Sequence, residues 1–131
     1  MNVMKQIVEK MQKIELRMSE KHGPFTLFAL FLREDAGISW DVVFSAPWAD
    51  SDEWEASKQL LEEIGKEITP EERRYIYRTM VIPTDFEDLE ELYEEHPVEH
   101  GKVIVRNREF GLQFIEKGYI ITCRPPVAKA A

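Results

Sequence analysis

The chain has 131 residues, of which 44% are hydrophobic and 32% are charged, and its formal net charge is −8. This composition is typical of one folded domain rather than a disordered chain, and no stretch approaches the roughly 20 apolar residues of a membrane span. The first residues are too polar for a secretory signal peptide, and the negative charge argues against binding to nucleic acid or anionic membranes, so we expect a cytoplasmic protein.

The first element is predicted to be a helix. Its apolar side chains recur every three or four residues and form one stripe, which consists of Met4, Ile7, Met11, Ile14 and Met18. Gly23 and Pro24 end the helix, because proline disfavours helical geometry in the residue before it. The stripe either packs on the chain's own sheet or pairs with the same helix of a second chain, since roughly 20 residues span ~30 Å. Packing within the chain ranks first, because fewer than three heptads make a short coiled coil.

A hairpin and a second helix are predicted next. Residues 25–32 are apolar on both alternating faces, which is typical of a strand that is covered on both sides. Residues 38–46 form the second strand of the hairpin. Pro47 ends this strand, and Asp52 followed by Glu55 marks the start of the helix.

Two further helix starts carry a threonine followed by a glutamate three residues later. Thr69 with Glu72 predicts a short helix, which gives way to a strand over 79–82. Thr84 with Glu87 predicts the start of another helix.

The end of the chain is predicted to form a β-meander, with Gly111 and Gly118 at its turns. Its three strands are expected at 102–106, 112–115 and 119–123. The element order is therefore α-β-β-α-(short α)-β-α-β-β-β. This order predicts a single α+β domain over 1–124, with a mostly antiparallel sheet and helices covering one face. Residues 125–131 are predicted to form a flexible tail.

The junction between the second strand and the following helix is the candidate ligand site. Trp48, Asp50 and Asp52 combine an aromatic ring with two carboxylates at a place where backbone N–H groups point outward. Arg33 or Asp41 is expected to contribute. The acids disfavour an anionic ligand, so a cation or a neutral aromatic ligand fits better. The alternative, ordinary helix capping and core packing, is the commoner use of such residues.

A second candidate surface is the acidic run over 85–95. Seven of its eleven residues are acids and none is basic. Glu87, Glu91 and Glu94 are expected on the solvated side of a helix, where they could meet a basic partner. The alternative is a face that only keeps the protein soluble.

Other sequence patterns argue against a metal site, a reactive cysteine or a catalytic motif. His96 and His100 are separated by Pro97, which prevents the helical geometry that two metal-binding histidines need, so no metal is predicted. Cys123 is the only cysteine and is expected to be a buried thiol. No Gly-rich phosphate loop or nucleophile elbow is found, and no cofactor is predicted.

The leading hypothesis is a non-enzymatic interaction or regulatory module that binds another protein or forms a homodimer. It depends on the absent catalytic motifs, the apolar stripe of the first helix and the acidic run. The alternative hypothesis is a small-molecule-binding domain or a minor enzyme, with its site near Trp48.

Overall fold

The computed structural model describes residues 2–126. This part of the chain is one α+β domain with a five-stranded, mostly antiparallel sheet, as predicted. The elements in chain order are α1 (Val3–His22), β1 (Leu27–Arg33), β2 (Trp40–Ser45), α2 (Pro47–Asp50), α3 (Glu53–Glu67), a 3₁₀ helix (Glu72–Tyr75), β3 (Ile76–Val81), α4 (Asp88–Glu95), β4 (Val103–Phe110) and β5 (Gln113–Cys123). Of the tail predicted over 125–131, residues 127–131 lie outside the described residues.

The strand order in the sheet is β3-β2-β1-β5-β4. The predicted hairpin is confirmed, because β1 and β2 are antiparallel neighbours with Phe28 opposite Phe44. β5 pairs antiparallel with both β1 and β4. β3 pairs parallel with β2, and the crossover between them contains α3. The sheet is therefore mixed, and β3 and β4 form its two ends.

One face of the sheet is covered by α1 and α3. The stripe of α1 is buried in the chain's own core, with Ile7, Met11 and Ile14 fully inaccessible and Met18 nearly so. It packs against a set of side chains from the sheet and from α3, among them Phe28, Leu30, Val42, Phe44, Leu60 and Ile64. Since burying one large apolar side chain contributes about 1.5–3 kcal/mol, this layer supplies much of the stability. The stripe is not available to a second chain in this structure.

The opposite face of the sheet is covered by α4 at one end only. Leu89, Leu92 and Tyr93 of this helix pack against Leu27 and other side chains of that face. The sequence predicted helices on a single face, and α4 departs from that expectation. The physical reason is space, since α1 and α3 already fill the first face.

The end of the chain forms two strands where three were predicted. Gly118 lies inside β5 rather than at a turn. A Cβ atom there would lie 2.7 Å from Phe31 Cδ1 and 2.8 Å from Val105 Cγ2, so the glycine permits a close approach of neighbouring side chains. Gly111 does occupy the predicted turn, with φ of 64°.

The two predicted threonine–glutamate helix starts have different outcomes. Thr69 and Glu72 hydrogen-bond each other's backbone N–H groups, at 3.2 Å to Thr69 Oγ1 and 2.9 Å to Glu72 Oε1, and open the 3₁₀ helix. The second start, Thr84 with Glu87, is wrong. α4 begins at Asp88 without a side-chain cap, because Thr84 donates from its N–H and its hydroxyl to Asp50 instead.

Candidate functional site

The open end of the second sheet face contains a recess of about 310 Å³. Its lining is apolar apart from one carboxylate and one amide, and it comes from all five strands, the β4–β5 turn and the segment before α4. The lining residues are Phe31, Asp41, Val43, Met80, Phe86, Phe110, Gly111, Leu112, Gln113 and Ile115. We refer to this cavity as the recess.

The floor of the recess follows from strand register. Phe31 of β1 lies opposite Asp41 of β2, and Val43 of β2 lies beside Met80 of β3. Paired residues in neighbouring strands project to the same face, and alternate residues along one strand share that face. The register of β1, β2 and β3 therefore places these four side chains together on one face.

The wall of the recess depends on contacts from distant parts of the chain. The backbone N–H of Gly111 donates to Asp88 Oδ2 at 2.6 Å, which ties the β4–β5 turn to the start of α4. The rings of Phe86 and Phe110 meet edge to face, with centroids 5.7 Å apart. Leu112, at the tip of the turn, is fully exposed at the rim.

Asp41 lies at the floor of the recess with only 2% of its surface exposed. Its carboxylate accepts hydrogen bonds from Arg33 Nε at 3.0 Å and from Arg78 Nε at 3.2 Å. Both guanidinium groups lie near the ring of Tyr77, at 5.4 Å and 5.6 Å from its centroid. A carboxylate that is buried and paired in this way is held in place by its two arginine partners.

The predicted ligand site is divided by the structure. Arg33 and Asp41 come together at the recess, whereas the other three residues stabilise local structure elsewhere. Trp48 donates from Nε1 to the carbonyl of Gly23 at 2.9 Å, and Asp50 accepts from Thr84. Asp52 caps α3. These three residues therefore have the structural roles, helix capping and packing, that the sequence analysis gave as the alternative to ligand binding.

A second polar cluster, which the sequence did not indicate, lies between α1 and β5. Glu15 is completely buried, and its Oε1 lies 2.6 Å from Nδ1 of His100. Thr122 donates its hydroxyl to Glu15 Oε2 at 3.0 Å. The burial of Glu15 could have been predicted from its position on the helix, because it follows Met11 by one turn and lies beside the buried stripe. His100 Nε2 faces another carboxylate, Glu99 at 3.6 Å, so this cluster fastens a loop to α1.

The acidic residues of α4 are where the sequence placed them. Glu87, Glu91 and Glu94 are exposed, and the buried side of the helix faces the sheet. Glu95 is held by Arg108 of β4, at 2.8 Å.

Cys123 is fully buried, and burial raises the pKa of its thiol to about 12. Such a thiol is not a nucleophile at neutral pH. Within residues 2–126, no group of three or more histidine, cysteine, aspartate or glutamate side chains is arranged to hold a metal ion. Over the same residues, no helix combines the length and the apolar character that crossing a bilayer requires.

No protein-family model, curated protein or solved structure matches this chain.

Proposed function

We propose that this chain is a non-enzymatic interaction module that takes an apolar side chain of a partner protein into the recess. The observation that carries the proposal is the recess itself. One face of the sheet is covered by two long helices, whereas the other leaves an apolar cavity open beside a fully exposed leucine. Exposed apolar surface of this kind marks binding sites in soluble proteins.

The rim favours a protein partner. Tyr77 is 61% exposed, Arg78 is partly exposed, and Leu112 projects from the turn. Tyrosine and arginine are the residue types that contribute most binding energy at protein interfaces. The volume of about 310 Å³ is at the lower end of the range for small-molecule sites, and it suits one or two side chains.

The absence of free reactive groups at the recess supports a role in binding rather than catalysis. Asp41 is committed to two arginines, and the remaining polar lining residue is the amide of Gln113. A side chain that acts as a general acid or base must lie within hydrogen-bond distance of the substrate atom whose proton it gives or takes.

An NMR titration with N-acetyltryptophanamide and N-acetylleucinamide, which mimic single partner side chains, tests the proposal. We expect chemical-shift changes to concentrate at the recess, around Val43, Met80 and Gly111. Leu112→Glu should weaken binding by placing a charge at the rim, whereas Leu61→Glu, at a half-exposed leucine position on α3, should not. Shift changes spread over the surface, or centred on α3, would contradict the proposal.

A small-molecule ligand is the second candidate function. The observation that favours it is that Arg33 and Asp41, two of the five predicted ligand residues, meet beside an apolar cavity. A metabolite panel that raises the melting temperature of the wild type but not of Leu112→Glu would favour this candidate over a protein partner.

A further inference from the structure

One side of the recess carries free negative charge. Phe86 lines the recess, and its chain neighbours Asp85 and Glu87 are both exposed. Because successive Cα atoms are only about 3.8 Å apart, both carboxylates belong to the same short piece of wall as the Phe86 ring. Neither forms an ion pair among residues 2–126. Two uncompensated negative charges therefore border an apolar cavity.

This acidic piece of wall is fastened on both sides. Before it, the N–H of Thr84 donates to Asp50 Oδ1 at 3.1 Å. After it, Asp88 Oδ2 accepts from the N–H of Gly111 at 2.6 Å. The two free carboxylates between these contacts are therefore presented at a fixed place beside the recess, and a partner meets them without first ordering the segment.

The opposite side of the recess carries no net charge. Arg33 and Arg78 both donate to Asp41, and Arg33 Nη1 also lies 3.3 Å from Asp35 Oδ1. These two guanidinium groups and two carboxylates cancel in charge. A partner side chain in the recess therefore has a neutral group of charges on one side and an uncompensated negative pair on the other.

We infer that the partner segment carries a lysine or arginine directly beside the apolar side chain that enters the recess. This inference rests on the proposed function and adds the chemistry by which the partner is recognised. A cation beside the apolar side chain is attracted by Asp85 and Glu87, whereas an acid there is repelled. The surrounding field acts in the same direction, because Glu90, Glu91 and Glu94 of α4 are also exposed and the net charge of the chain is −8.

The apolar side chain and the cation have separate tasks. An exposed ion pair on its own contributes a factor of about five or less in affinity, so a lone lysine is not held at the wall. Burial of the apolar side chain in the recess supplies the affinity. The cation then selects among segments that offer the same apolar side chain.

Three tripeptides that differ only in their flanking charge test the inference. The probes are acetyl-Lys-Leu-Lys-amide, acetyl-Gln-Leu-Gln-amide and acetyl-Glu-Leu-Glu-amide, each titrated into the full chain at low salt and followed by NMR at Val43 and Met80. The lysine peptide should bind about fivefold more tightly than the glutamine peptide, and the glutamate peptide should bind most weakly. At about 1 M salt the three affinities should converge, because the Debye length falls to ~3 Å.

Two variants of equal net charge show whether the acids beside Phe86 cause the preference. Asp85→Asn combined with Glu87→Gln should bring the lysine and glutamine peptides to within about twofold of each other. Glu9→Gln combined with Glu62→Gln removes the same charge from exposed positions on α1 and α3, which cover the other face of the sheet, and should keep the preference of the wild type. All four substituted side chains are exposed, and circular dichroism should confirm that both variants fold.

The outcomes separate this inference from the proposed function. Three peptides that shift the recess resonances with equal affinity at low salt would overturn the inference and leave the recess as the binding site. A lysine preference that survives in Asp85→Asn with Glu87→Gln would also overturn it. If no tripeptide shifts the resonances at the recess, the proposed function itself fails, and this inference fails with it.

Discussion

The two faces belong to the same five strands, but helices cover them to different extents. The first face buries the inner side of α3 and four residues of the α1 stripe, Ile7, Met11, Ile14 and Met18, while Met4 at the start of the stripe is partly buried. The second face is closed by α4 at one end and left open at the other, where the recess lies. Both faces contribute a buried cluster, and they differ in how much of the sheet their helices cover. The uncovered part of the second face is where we propose that a partner binds.

The largest difference should appear between two methionines. Met11 on α1 is fully buried under the first face, and Met80 is half-buried in the recess. Met11→Ala should lower the free energy of unfolding by about 2–5 kcal/mol, because it leaves a cavity in a closed core. Met80→Ala should cost about 1 kcal/mol or less, since water already reaches the recess. Urea denaturation measures both values, and equal losses would mean that the second face is as closed as the first.

A smaller effect is expected at the polar edge of the covered face. Burial of Glu72 opposes its charged form, but hydrogen bonds from Lys10, at 2.6 Å, and from Thr69 outweigh it, so the pKa of Glu72 lies below its ordinary value of 4.5. A lowered pKa in the folded state adds stability that is complete above that value and is lost as the pH falls through the folded pKa. Glu72→Gln should cost about 1–2 kcal/mol near neutral pH.

The same variant should flatten the decrease in stability between pH 5 and pH 3, as seen by denaturation at each pH. Glu71→Gln, at the exposed neighbouring position, is the matched control and should behave like the wild type. An unchanged pH profile in Glu72→Gln would show that Lys10 and Thr69 do not stabilise the charged carboxylate.

The smallest expected effect is on the reactivity of a thiol under the closed end of the second face. Cys123 lies beneath this end, and burial raises its pKa to about 12. Its thiol should not react with a disulfide reagent in the native protein, and it should react at once after unfolding in denaturant. Rapid labelling of the native protein would mean that α4 detaches readily and that the second face is open along its whole length.

The strands and the α1 stripe could be predicted because their side chains repeat with the periods of a strand and a helix. Periodicity gives the apolar side of α4 but not the sheet face on which it packs, since that choice depends on which face other helices already fill. Gly118 looks like a turn in the sequence, and only the positions of Phe31 and Val105 give the reason for a glycine inside a strand.

The candidate site could be predicted in part. The sequence predicts a contribution from Arg33 or Asp41, and their pairing depends on a local hairpin. The recess also needs Met80, Phe86 and Phe110, which three separate parts of the chain bring together. Glu15 and His100 are far apart in sequence, and no local pattern connects them.

Photolabelling with benzophenone, an apolar probe that reacts readily with methionine side chains, tests the contrast between the two faces most directly. After irradiation and digestion, the label should lie on Met80 and the β4–β5 turn, and excess N-acetylleucinamide should suppress it. Met11 and Met18 should remain unlabelled, because the first face is closed. Labelling concentrated on α1, or label at the recess that the competitor does not reduce, would contradict the assignment of the open face to binding.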